Sequence, residues 1–353
     1  MLSMLLRSPC RSRAALVTLC LAVCWLMTLP MQDAQAQSTP RTTTQTPVAK
    51  RMNPPPPPPG SEGERLAALT ETLNQNTVTV MSGNPNGTYL YLAYDLSAVL
   101  DDGNDLRVLP VIGKGGYQNV IDLLHLRGTD LAITQSNIMT YLKRTGEMGA
   151  NIDQRLAYIA KLYNEELHIL AGPGIKRVQD LNGRKCNFSD VGSGTQFSAR
   201  LIFELLNIKC EEINVGQADG YQMVKSGEIA ATILIAGKPT GAFSRFKLEP
   251  GMTLLPVPYT EVLEQDYFPA KLTSDDYPNL IEKGASVETV AVGAVLAAYN
   301  WPKDNDRYRR VALFVDHFSN LGTRRDSRIV IIKIKILGQY AHRVVYKVRQ
   351  ALW

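Results

Sequence analysis

Histidine is nearly missing from this chain, with four in 353 residues: His125, His168, His317 and His342. None has a second histidine at metal-ligand spacing, no Cys-x-x-Cys occurs, and no serine sits in a Gly-x-Ser-x-Gly elbow. Metal centres and triad hydrolysis lack their parts. No metal and no cofactor are expected, and an enzyme is the least favoured reading. The phosphate-binding loop is also missing, since Gly194 is followed by Thr195, Gln196 and Phe197 where a lysine and a hydroxyl residue are needed. Residues 82–89 carry no dinucleotide glycine fingerprint.

Net positive charge is absent from the body. The first 36 residues hold Arg7, Arg11 and Arg13 against Asp33, and residues 321–353 hold eight Lys and Arg against Asp326. These two ends together exceed the net charge of +5, so the chain between them is acidic. A nucleic-acid partner would need basic charge on the body and is excluded.

The beginning has a basic stretch, the apolar run AALVTLCLAVCWLMTL, and Ala34 and Ala36 ahead of Gln37. That order is expected of a secretory signal over 1–36. The run is short for a membrane anchor, which needs roughly 20 residues. Residues 37–60 have few large apolar side chains and end in six prolines and a glycine, so an extended, disordered linker is expected. Export changes the meaning of cysteine. Cys10, Cys20 and Cys24 leave with the leader, and only Cys186 and Cys210 remain. Each falls in or beside a strand-like segment of one βαβ unit. One disulfide between them and two buried thiols both stay open.

From residue 76 the pattern alternates. TVTVMSG, LRVLPVIG and TDLAITQS have strand character, and GTYLYLAYDLSAVLDD and YQNVIDLLHLRG have helical spacing. A second alternating set runs from RKCNFSD to IAATILIAG, with LAYIAKLYNEELHILAG before it and VETVAVGAVLAAY and a final amphipathic helix after it. Alternation of this kind predicts an α/β fold with mainly parallel sheets flanked by helices. Two crossings of the chain predict two lobes around a hinged cleft. The expected boundaries are 61–168 plus 289–320 for lobe 1, 169–288 for lobe 2 and 321–353 for an atypical basic tail.

Ligands in open α/β sheets bind beyond the carboxyl ends of the strands. Five such loops are rich in glycine, amides and hydroxyls. The first carries Ser82, Asn86, Gly87, Thr88 and Tyr89; the second carries Lys114, Gly115, Gly116 and Tyr117. The third has Gln135 and Ser136, the fourth Ser193, Gly194 and Thr195, and the fifth Gly237, Lys238 and Pro239. A motif such as GSGT caps a helix as readily as it holds a ligand. Five at equivalent positions point to a cradle for an anion, built from backbone N–H groups and helix starts. Lys114 and Lys238 are the cations available there to pair with a carboxylate. No general base lies on these loops, so the expected task is holding rather than transforming.

The segments SGNPNGTYLYLAYDLSAVL, DLAITQSN, KLYNEELHILAG, DLNGRKCNFSDVGSGTQFSARLIFE and GEIAATILIAGKPTGAF resemble, in order and spacing, the TAXI-type solute receptors of tripartite ATP-independent periplasmic (TRAP) transporters. The resemblance covers about residues 76–320. It implies a type II periplasmic binding protein fold closing on a small organic acid, glutamate or a dicarboxylate. The implied partner is a TRAP membrane permease driven by an ion gradient, with the receptor a periplasmic monomer. The family's ligand loops match Gly87, Thr88 and Tyr89; Gly115 and Gly116; Gln135 and Ser136; Ser193, Gly194 and Thr195; and Gly237 and Pro239. Tyr117 stands where the common form has serine, which leaves the solute's identity open. The tail also departs from the family's ending, and either an extension or a shifted reading frame would account for it. A sensor that presents bound solute to a signalling partner is the alternative to transport.

Overall fold

The computed structural model describes residues 56–322, apart from Asn86, Asp102 and Asn104. The expected leader, the proline-rich segment up to residue 55 and all but the first two residues of the tail lie outside the described residues.

Helix α1 (Glu62–Gln75) precedes β1 (Thr77–Met81), α2 (Thr88–Leu100), β2 (Arg107–Val111), α3 (Gly116–His125), β3 (Leu131–Gln135), α4 (Ser136–Thr145), the short α5 (Ile152–Arg155) and the long β4 (Leu156–Ala171). Then come β5 (Lys185–Asn187), α6 (Gly194–Leu205), β6 (Glu211–Ile213), α7 (Gln217–Ser226), β7 (Ala231–Ala236) and the short α8 (Gly241–Ser244). Strands β8 (Thr253–Leu254), β9 (Phe268–Thr273) and β10 (Ser286–Tyr299) and helix α9 (Asp306–Ser319) complete the chain.

All ten strands join one sheet, with a main path β2-β1-β3-β10-β4-β7-β5-β6. Each flank repeats one arrangement. β1 lies parallel between β2 and β3, and β5 lies parallel between β6 and β7. The α/β class expected from the alternation is what forms, with both flanks parallel. The centre is antiparallel: β10 runs against β3 and β4, and β4 runs against β7.

The two long strands change partner midway. Residues 156–166 of β4 pair with β10, and residues 166–171 pair with β7. In β10, residues 286–291 pair with β9 and 294–298 with β3. Each strand therefore belongs to both halves of the sheet. The run from Thr289 to Ala298 is buried throughout, because helices cover both faces of the central sheet, and its sequence is almost wholly apolar for that reason.

Apolar residues cluster on both faces of each half. On one face of the first half, Val80 and Ile133 pack with Leu96 of α2 and Phe314 of α9. On the other, Met81 and Ala132 meet Val120 of α3 and Ile138 of α4. In the second half, Ile169 and Ile233 pack with Ile202 of α6 on one face, while Leu170 packs with Val224 and Phe243 on the other.

The return helix α9 is tied to the first half by Arg307. Its Nε and Nη2 donate to Asp130 Oδ1 at 2.9 and 2.7 Å, while Asp130 Oδ2 accepts the Thr79 amide at 3.0 Å. The stretch between β7 and β10, irregular to the sequence reading, supplies β8 and β9, which complete the sheet around the long strands.

Cys186 and Cys210 are neighbours, as a βαβ unit allows. Their sulfurs lie 2.8 Å apart as free thiols, with Cys210 donating to the Leu181 carbonyl at 3.3 Å. The Cys210 contact first, and burial second, push the Cys186 thiol up.

Two outcomes are expected. Asp130→Ala leaves the Arg307 guanidinium without its carboxylate, held only by the Thr129 carbonyl and the Trp301 ring, and should cost about 2–3 kcal/mol in denaturant unfolding; a loss under about 1 kcal/mol would show the tie to be idle. Oxidation of the purified protein should join Cys186 to Cys210, seen by intact mass as loss of two hydrogens and resistance to alkylation. Two thiols still alkylated after oxidation and unfolding would refute the bridge.

Candidate functional site

The strand ends of both halves open onto one cavity of about 730 Å³, within the size range of small-solute sites. Its walls are mostly helix beginnings. The N-cap residues of α2, α3, α4, α6, α7 and α8 are Gly87, Gly115, Gln135, Ser193, Gly216 and Thr240, and all six line the cavity. Five of these helices have ten or more residues, so each directs a positive dipole end inward. At α6, Ser193 Oγ accepts from the Gln196 amide at 3.1 Å. That cap leaves the first-turn amides of Gly194 and Thr195 without an acceptor among the described residues.

The two halves touch along one side of the cavity. Gly116, at φ +45, faces Gly194 so closely that a Cβ on Gly116 would lie 2.2 Å from the Gly194 Cα. The Gln118 amide donates to the Gly192 carbonyl at 3.2 Å, and Asn84 Nδ2 donates to Asp190 Oδ2 at 3.0 Å. A directional chain also crosses. Asn137 Nδ2 donates to Ser198 Oγ at 2.7 Å, Ser198 donates to Gln135 Oε1 at 2.8 Å, and Gln135 Nε2 donates to Glu165 Oε2 at 2.8 Å.

Glu165 is the cavity's deepest charged group, 3 % exposed, at the point where β4 changes partner. Oε2 also accepts from the Tyr89 hydroxyl at 2.9 Å, and Oε1 accepts from Tyr163 at 3.3 Å. Burial pushes its carboxyl up to about 7, against the pull of the three donors. The same burial raises the hydroxyls of Tyr89 and Tyr163. The more accessible charged side chains of the lining are Lys114, Asp190, Asp219 and Arg245.

Of the residues singled out in the sequence, Gly87, Thr88 and Tyr89 line the cavity, as do Lys114, Gly115, Gly116, Gln135, Ser193, Gly194 and Thr195. Asn86 lies outside the described residues. Six others stand away from the lining, each for a visible reason. Ser82 is buried beneath the first loop and donates to the Val111 carbonyl at 2.7 Å. Tyr117 stacks on Phe197 at 5.3 Å between centroids and hydrogen-bonds Glu147, so it packs α3 against α6. Ser136 Oγ accepts from the Gly293 amide at 3.2 Å. Gly237 packs against the Tyr163 ring, where a Cβ would meet the ring at 2.9 Å. Lys238 pairs with Asp276 Oδ2 at 2.9 Å and donates to the Lys271 carbonyl at 2.6 Å. Pro239 follows it outside the lining, and the fifth loop reaches the cavity through Thr240, Ala242 and Arg245 instead.

Sequence reasoning passed over Glu165 and the start of α7. Glu165 had a signal: NEE interrupts an otherwise apolar strand. The α7 loop, GQAD, is a sixth glycine- and amide-bearing strand end, left out although the strand and helix on either side of it fall in the second alternating set. Among the described residues no group of three or more His, Cys, Asp or Glu could hold a metal.

The chain matches the NMT1-like family over residues 80–330, well over half its length, and belongs to that family. Among solved structures it is similar to the substrate-binding protein of an amino acid ABC transporter, at 10% identity over 74% of this chain and 100% of that one, with a TM-score of 0.44. An ancestral arginine-binding protein bound to arginine gives 15%, 74%, 99% and 0.45 on the same measures. The periplasmic aliphatic sulphonate binding protein of Escherichia coli gives 15%, 74%, 75% and 0.41.

Because a side chain at Gly116 would occupy the Gly194 backbone, Gly116→Ala should hold the halves apart. Its radius of gyration by solution X-ray scattering should exceed that of the parent, with a stability loss of about 1–2 kcal/mol from the positive φ. Superimposable scattering curves would refute this role.

Proposed function

We propose that this NMT1-like family member is an extracytoplasmic receptor that captures a small carboxylate solute between the two halves of its sheet and delivers it to a TRAP permease. One observation carries the reading: the N-caps of five helices of ten or more residues, drawn from both halves, line a single cavity. Such an arrangement favours an anion without requiring a matching side-chain cation. Each dipole end contributes about 0.3–1 kcal/mol when exposed and more when partly buried, and unpaired first-turn amides replace the water that the solute sheds. Lys114 and Arg245 add mobile positive charge within the lining.

The chemistry of the lining favours binding over turnover. Two lining hydroxyls at the start of α6 are engaged: Ser193 caps the helix, and Thr195 Oγ1 accepts from the Ile235 amide at 3.0 Å. The buried histidine, His168, bonds the Glu166 carbonyl and Tyr277, away from the cavity lining. Its ring is held neutral, with burial lowering its pKa to about 4. The choice of a TRAP permease rests on the motif resemblance over residues 76–320, and the periplasmic location on the expected secretory signal over 1–36.

Calorimetry with L-glutamate, L-aspartate, succinate and glutarate should give saturable one-to-one binding with Kd on the order of 1 μM for at least one. Arg245→Ala and Lys114→Ala should each weaken it about tenfold, the scale of one charge-assisted hydrogen bond. No heat from any carboxylate would end the receptor reading. Uptake in vesicles carrying the permease should follow an imposed ion gradient and be indifferent to ATP.

A further inference from the structure

The cavity holds a contradiction that its helix caps do not resolve. Built to favour a negative guest, it keeps a carboxyl group, Glu165, at its deepest wall. The side chain receives three hydrogen bonds, all from neutral donors: Tyr89, Gln135 and Tyr163. Among the described residues no lysine, arginine or histidine hydrogen-bonds or ion-pairs with it. Buried carboxylates are ordinarily paired. A carboxylate also accepts about four hydrogen bonds, and Oε1 has only the longer Tyr163 contact. Room remains for a donor from the cavity side.

We propose that Glu165 is a ligand-contacting residue that seats a protonated amine, so that the solute is a zwitterion, anionic toward the helix caps and cationic toward β4. This rests on the receptor reading and narrows it: above neutrality, where Glu165 is ionised, a plain dicarboxylate would set a negative group against it. The four remaining charged groups of the lining, Lys114, Asp190, Asp219 and Arg245, carry both signs, which suits a guest that carries both.

The groups facing Glu165 are Tyr89 from α2, Gln135 from β3, and Tyr163 and Glu166 from its own strand. Both tyrosine hydroxyls are raised by burial and stay protonated through neutral pH. Glu166 is likewise raised to about 7 by burial, against the pull of Lys238. Burial pushes the Glu165 carboxyl up to about 7, so a proton competes for it near neutrality. An amine must displace that proton. Affinity for an amine-bearing solute should therefore be fully present above neutrality and fall as pH drops, approaching tenfold per pH unit by linkage.

The test compares three amino acids with their amine-free counterparts: L-glutamate with glutarate, L-glutamine with glutaramate, and L-leucine with 4-methylpentanoate, by calorimetry from pH 5 to 8. At least one amino acid should bind at least about tenfold tighter than its counterpart at pH 7.5, and that preference should shrink toward pH 5. Glu165→Gln, which keeps an acceptor for Tyr89 and Gln135, should abolish both preference and pH slope. Its melting curve checks folding, and the parent's own pH series stands without the variant. If an amine-free acid binds as tightly as its amino acid, or the preference survives in Glu165→Gln, the assignment falls while the receptor reading stands. If none of the six binds at any pH, the receptor reading falls and this inference falls with it.

Discussion

Two backbones meet where side chains would ordinarily stand. The Gly116 and Gly194 chains approach so closely that neither position has room for a methyl group; a Cβ on Gly194 would itself lie 2.8 Å from the Gln135 side chain. This contact brings the starts of α3 and α6 together. It brings the loops that carry Lys114 and Ser193 side by side, with the Gln135 side chain packed against Gly194. Bulk at either glycine would separate the caps, and their combined positive ends would act singly, screened by water. The cavity is thus a consequence of close packing between two parallel flanks, and the electrostatics follow from that packing.

The long strands β4 and β10 make the approach possible. Each pairs with one half along part of its length and with the other along the rest. A change of angle between the halves would be absorbed where the partners change, at residues 165–166 of β4 and 291–294 of β10. Glu165 sits at that point. The donor chain from Asn137 through Ser198 and Gln135 ends on its carboxylate. Ser198 belongs to α6, and the other members belong to the first half or its strand. Contact between the halves therefore helps hydrogen-bond the buried acid of the cavity wall, and hydrogen bonding to a carboxylate favours its charged form.

The fold was legible where periodicity is strong. Both β-α alternations and the buried run of β10 follow from hydrophobic spacing. Helix α4 was overlooked because SNIMTYLKRT starts directly from β3, with no loop between strand and helix. The stretch from 239 to 285, dense in proline and polar residues, concealed β8 and β9, whose pairing is decided by the long strands rather than by local preference. In the site, the loops following β1, β2 and β5 were found because glycine at the head of a helix has a local cause, and the end of β3 because an amide and a hydroxyl stand together there. Lys238 was drawn from the same reasoning. Asp276, far along the chain, takes its charge out of the cavity.

By itself, the sequence determined the class of architecture, the position of the helix caps and the expectation of an anionic guest, since all three depend on spacing within short windows. Tertiary structure decided which caps share one space, which lysine remains available, and that an acid closes the cavity from behind. Those outcomes depend on contacts between residues far apart in the chain, such as Gly116 with Gly194 and Lys238 with Asp276. No local pattern encodes such a contact, because its energy exists only once both segments are packed.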